Sequence, residues 1–133
     1  MIRNIVADTN VLISAYLWKG KPRQALKLIQ NSYNLLFSRQ TLDELVRVLS
    51  VKFSLDVSDI KKIIADIQKF GKQVNIISND DVVIEDPSDN VFINLAIDGK
   101  ADIIVSGDSH LLRLKKYKGI EILTITEFLN RFS

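Results

Sequence analysis

Apolar positions along this chain follow two different periods. Residues 2–7 (IRNIVA) and 103–106 (IIVS) are short β-branched runs. Each suits a central strand of a parallel sheet, buried on both faces. Residues 35–37 and 120–123 are further runs of this kind. Elsewhere apolar residues recur three and four apart. Ile60, Ile63, Ile64, Ile67 and Phe70 mark a helix over 58–71, which Gly71 can end. Further helices are predicted over 11–17, 22–32, 41–51, 88–98, 109–116 and 126–132. Pro22 and Pro87 stand where a helix opens. Residues 74–77 and 82–84 are short extended pieces. Strand–helix alternation predicts an α/β fold, a mainly parallel sheet with helices on both faces.

Composition narrows this picture. The 133 residues contain no repeat and no Pro- or Gly-rich linker, so one domain over 1–133 is expected. The longest apolar runs are about half a membrane span, and no signal peptide is read at the N-terminus. The expectation is a cytoplasmic protein with no membrane partner. Cysteine is absent, which excludes thiol catalysis and thiolate metal sites. The single His110 excludes multi-histidine zinc motifs. Any metal would be held by oxygen, which suits Mg²⁺ or Mn²⁺. A net charge of +2 is no bulk polycation. Nucleic-acid binding would need local clusters. Trp18 and Tyr16 beside Lys19, Lys21 and Arg23 are one such cluster, suited to a single strand or to a partner-binding edge.

The acidic residues carry the chemistry. Asp8 and Asp108 each follow a predicted strand. In open α/β sheets, ligands bind outside the carboxyl ends of the strands. Glu44 and Asp89 fall in the first turns of two predicted helices. Each has a structural alternative. Asp8 and Asp108 can cap the next helix, although Thr9 and Asn10 offer the first helix equivalent caps. Thr41-Leu42-Asp43-Glu44 fits a capping box, with Thr41 as N-cap and Glu44 reaching back. Asp86 suits an N-cap before Pro87, and Asp89 complements the helix dipole. Ser106 can bond an acid or merely fit a tight turn, and Asn10 can orient Asp8 or cap. Asp98, Asp102 and His110 read as structural or surface residues, and Asp80 and Asp81 as solvated charges. The set argues differently from its members. Two carboxylates ~4 Å apart repel by about 4 kcal/mol at an effective dielectric of ~20. Converging acids therefore call for a cation.

With these motifs in order, the chain resembles the PIN-domain ribonuclease family. The matching stretches are Val6-Ala7-Asp8-Thr9-Asn10-Val11-Leu12, Thr41-Leu42-Asp43-Glu44-Leu45, Asp86-Pro87-Ser88-Asp89 with Ala96, and Ala101-Asp102-Ile103-Ile104-Val105-Ser106-Gly107-Asp108. The C-terminal residues from Gly119 to Thr124, with Glu127-Phe128-Leu129, extend the likeness over almost the whole chain. It is nearest to small prokaryotic single-domain members described as toxins of toxin–antitoxin pairs. Asn90 stands where a second acid is common. The resemblance implies a three-layer α/β/α sandwich and metal-dependent endonucleolytic cleavage of RNA, leaving 5′-phosphate and 3′-hydroxyl ends. It implies Asp8, Glu44, Asp89 and Asp108 as catalytic residues. Asp8, Asp89 and Asp108 would ligate Mg²⁺ or Mn²⁺, with Glu44 as ligand or water-orienting base. Asn10 and Ser106 would support them or the substrate. An antitoxin and a homodimer or higher homo-oligomer are implied as partners.

Two rival classes are set against this. Receiver domains also place an Asp after a buried strand, but need a Lys after a late strand, where Thr124-Ile125-Thr126 stand here. Haloacid-type phosphatases carry a second Asp two positions on, where this chain has Asn10. The third class is an inert binding module whose acids only cap helices.

Overall fold

A computed structural model describes residues 3–133. The expected strand 2–7 thus starts at Ile2, outside the described residues, and is observed as β1, Asn4–Ala7. The other strands are β2 Asn34–Phe37, β3 Lys72–Gln73, β4 Ile103–Val105, β5 Lys116–Tyr117 and β6 Ile120–Leu123. They form one sheet in the order β3-β2-β1-β4-β6-β5. All neighbours are parallel except β5, which runs antiparallel to β6.

The helices are α1 Thr9–Leu17, α2 Lys21–Ser32, α3 Arg39–Val51, α4 Val57–Phe70, α5 Asn90–Asp98, α6 Ser109–Leu112 and α7 Ile125–Phe132. Alternate strand residues point to opposite faces. Ile5 and Ala7 join a core with residues of α1, α2, α3, α4 and α7. Val6, Leu36 and Ile104 join a second core with α5 and α6. The result is the three-layer α/β/α sandwich. Among the described residues, no helix is long and apolar enough to cross a membrane.

Four expectations change. The helix expected at 41–51 begins at Arg39, because Ser38 is its N-cap and forms the capping box with Thr41. The helix expected over 109–116 stops at Leu112. Lys115 and Lys118 take positive φ, and the chain turns into the β5–β6 hairpin. Residues 74–77 and 82–84 form no strand, although the Val74 amide donates to the Phe37 carbonyl of β2 at 2.8 Å. Their segment is bonded instead to the side chains of Asn90, Asn94 and Asp98, spaced four apart along α5. Asp80, expected to be solvated, accepts from Tyr117 and Lys118, each at 2.7 Å.

Gly71 does end its helix, through close approach of neighbours and not through a left-handed φ. A Cβ there would sit 2.7 Å from the Ile67 carbonyl and 2.9 Å from Phe37 Cδ1. Gly71→Ala is expected to cost about 1–3 kcal/mol, read as a lower urea midpoint at unchanged slope.

Candidate functional site

The strand order places a topological switch between β1 and β4. From β1 the chain winds outward to β2 and β3; from β4 it winds the other way to β6. The loops leaving these two strands diverge, opening a crevice above their carboxyl ends. Asp8 and Asp108 lie in those loops. A cleft of 260 Å³ opens there, lined by Asp8, Glu44, Arg47, Asp86, Asp89 and Asp108 among others.

Asp8 is buried and fully bonded. Its Oδ1 accepts from the Val11 amide at 2.9 Å, so Asp8 is the N-cap of α1. Thr9 and Asn10 do not take that role, because α1 already includes them. Asp8 Oδ2 accepts from Ser106 Oγ at 2.5 Å and from the Gly107 amide at 3.2 Å. Burial pushes the Asp8 carboxyl up, against the lowering effect of these donors. Ser106, wholly buried, also accepts from the Asp108 amide at 2.9 Å. One hydroxyl thus ties together the acids that follow β1 and β4. Asp108 is itself the N-cap of α6, accepting from the His110 amide at 2.7 Å.

Glu44 comes from α3. Since Ser38 and Thr41 complete the capping box, Glu44 has no capping duty. Its Oε2 accepts from Thr9 Oγ1 at 3.2 Å, and its Oε1 lies 3.8 Å from Arg47. Ser38→Ala is therefore expected to cost about 1–2 kcal/mol. Glu44→Gln is expected to stay within about 0.5 kcal/mol. Urea midpoints of the two variants would separate cap from site residue.

Asp89 ends a 3-10 turn, Pro87–Asp89, that precedes α5. Asp86 makes no capping bond and accepts from Ser88 Oγ. One ligand atom from each of Asp86, Asp89, Asp108 and His110 lies within 4.8 Å of the others. Asp8 and Glu44 line the same cleft outside this tightest group. Asn10 lies on its rim, exposed. Asp89 Oδ2 is buried and without a hydrogen-bond partner among the described residues. Burial first, then the charge of Asp108, raises the Asp89 carboxyl to about 7. An orphaned carboxylate oxygen facing other acids fits a hard divalent cation, whose charge would offset both costs.

Three participants were not singled out from the sequence. His110 reads as a surface residue, yet its Nδ1 lies 3.6 Å from Asp108 Oδ1. Its position two after Asp108 was the available signal. Arg47 and Lys52 line the cleft, so the acids do have cationic neighbours. Their spacing from Glu44 along one helix is visible, but α3 must pack on α1 before it means anything.

The family model for the PIN domain matches residues 4–110, most of the chain. The chain belongs to the PIN domain family. Its fold agrees with solved structures at low identity. VapBC2 from Rickettsia felis, bound to a DNA fragment from its promoter, aligns with a TM-score of 0.66 at 13% identity, over 91% of this chain and 98% of that one. PAE2754 from Pyrobaculum aerophilum aligns with a TM-score of 0.66 at 16% identity, over 99% and 98%. Among curated proteins, none matches the sequence significantly.

Proposed function

We propose that this PIN domain is a metal-dependent endoribonuclease, using Mg²⁺ or Mn²⁺, and the toxin of a toxin–antitoxin pair. The observation that carries this reading is the acid cleft at the sheet's switch point, with the partnerless buried oxygen of Asp89 inside it. Asp8, Asp89 and Asp108 would hold the cation, Asp8 from the cleft wall, and Asp86 and His110 are near enough to Asp89 and Asp108 to share that task. When bound, the ion supplies Lewis-acid charge stabilisation and lowers the pKa of a bound water.

The chain's own residues do the rest. Ser106 and the Gly107 amide fix Asp8. Thr9 holds Glu44, whose carboxylate orients the attacking water and accepts its proton. Arg47 and Lys52 bind phosphates on either side of the scissile bond. Water attacks phosphorus in line, the bond from phosphorus to the 3′-oxygen breaks, and that oxygen takes up a proton from solvent, which leaves a 5′-phosphate and a 3′-hydroxyl.

Residues 1–133 act as one nuclease domain in the cytoplasm. The likeness to VapBC2, whose structure holds promoter DNA, supports an antitoxin partner that takes the pair to DNA. Homo-oligomers of this chain are part of the same reading. The test is cleavage of RNA by the purified chain with Mg²⁺, Mn²⁺ or EDTA. Cleavage that needs a divalent ion supports the reading, and cleavage unaffected by EDTA would overturn it.

A further inference from the structure

The cluster around Trp18 comes apart when each member is placed. The Tyr16 hydroxyl donates to Asp66 Oδ2 at 2.6 Å and is held against α4. Arg23 donates to the carbonyls of Ala15 and Tyr16, each at 3.1 Å, closing the end of α1. Trp18 remains 52% exposed, and Phe53, 36% exposed, meets it edge-on at 5.8 Å between ring centres. The two rings stand at the ends of α1 and α3. Thr9, the first residue of α1, and Glu44, part-way along α3, touch at the acid cleft. At 1.5 Å per residue, Trp18 lies about 13 Å along α1 from Thr9. The side chain before Phe53 is Lys52, which lines the cleft, with Arg47 between it and Glu44. Lys19 follows Trp18, exposed.

We propose that Trp18 and Phe53 form a base-stacking platform for single-stranded RNA, a few nucleotides from the cleavage point. This rests on the nuclease reading above and names how its substrate is held. A backbone leaving the acids must escape their repulsion. Arg47 and Lys52 supply the only charges of opposite sign that line the cleft among the described residues. They lead the strand to two partly exposed aromatic rings. Stacking on such faces is tolerant of base identity, so the platform adds affinity without a sequence code. A run of phosphates from the acid cleft to the rings matches the order of these residues, acids first, then Arg47 and Lys52, then the aromatic pair.

Trp18 is the chain's one tryptophan, so its emission reports on the platform directly. The experiment titrates a short single-stranded RNA into the full-length Asp8→Asn chain in EDTA. Intrinsic emission is read beside the polarisation of labelled RNA. Saturable quenching that weakens with salt is expected. Added Trp18→Ala is expected to weaken RNA binding about tenfold, and Trp18→Phe to retain most of it. Binding without a change in emission, or equal affinity after Trp18→Ala, would overturn the platform. Metal-dependent cleavage by the wild-type chain would leave the nuclease reading standing in that case. Neither binding nor cleavage would sink both. Loss of self-association after Trp18→Ala, at unchanged RNA affinity, would make the edge a protein interface and overturn the proposal.

Discussion

Asp8→Asn and Asp108→Asn are each expected to lower metal-dependent RNA cleavage by about 10³-fold or more while the fold persists. Removing one anionic ligand forfeits several kcal/mol of transition-state stabilisation, and about 4 kcal/mol is a factor of 10³. The structural cost is small by comparison. Asn caps a helix as well as Asp does, so the bond from the Val11 amide survives at position 8. The new amide nitrogen meets the Gly107 N–H where an oxygen had accepted. That mismatch costs about 1–2 kcal/mol. Relief of repulsion with Asp89 and Asp108 offsets part of it. At position 108 the cap to α6 is likewise retained. Cleavage rates with Mg²⁺ and urea midpoints, measured on the same samples, separate the two effects. Full activity in either variant would remove that residue from the site.

Without metal, stability is expected to fall as pH rises from about 4 to about 7. The sign follows from Asp89. Its carboxyl stands near 7 in the folded chain against 3.8 in a free one. Between these values the folded state holds a proton that the unfolded state has released, so raising the pH favours unfolding. Asp8, also raised, acts in the same direction. A divalent ion should remove this slope, because it replaces the proton as the charge that makes the cluster tolerable. At a concentration 100 times its Kd, it adds about 2.7 kcal/mol, or roughly 10 °C in melting temperature for a chain of this size. Melting curves with Mg²⁺ and with EDTA at pH 5 and pH 8 test both halves. The ion's effect is expected to be large at pH 8 and small at pH 5, where protons compete. Asp89→Asn is expected to melt higher than wild type in EDTA and to lose the response to Mg²⁺. A melting temperature indifferent to Mg²⁺ at pH 8 would leave Asp8 and Asp108 as helix caps and take the metal out of the reading.

Both effects concern residues visible in the sequence, but in different ways. Asp8 and Asp108 follow short β-branched runs, and a buried strand can deliver a carboxylate to one place only. Their site position is thus a local inference. The sequence leaves Ser106 open between a bond to an acid and a tight turn, and the structure shows the bond. Glu44 was obscured by a local rule, since Thr41 and Glu44 match a capping box. Ser38, three residues before Thr41, satisfies the same rule better and frees Glu44.

The alternation of strand and helix, the parallel sheet and the candidate acids could be read from the chain's residues alone, whereas the expectation of oxygen ligands only does not survive the placement of His110 beside Asp86, Asp89 and Asp108. The alternation, the sheet and the acids depend on residue type and on spacing within one element, where period and burial are coupled. Packing between elements settled which acids cap helices and which do not. It also decided that Asp86 and His110 meet Asp89, and that Phe53 meets Trp18. Except for Asp86, which belongs to the same turn as Asp89, those contacts join elements far apart in the chain. They exist because packing on a shared sheet brings them together, and no local propensity encodes that distance.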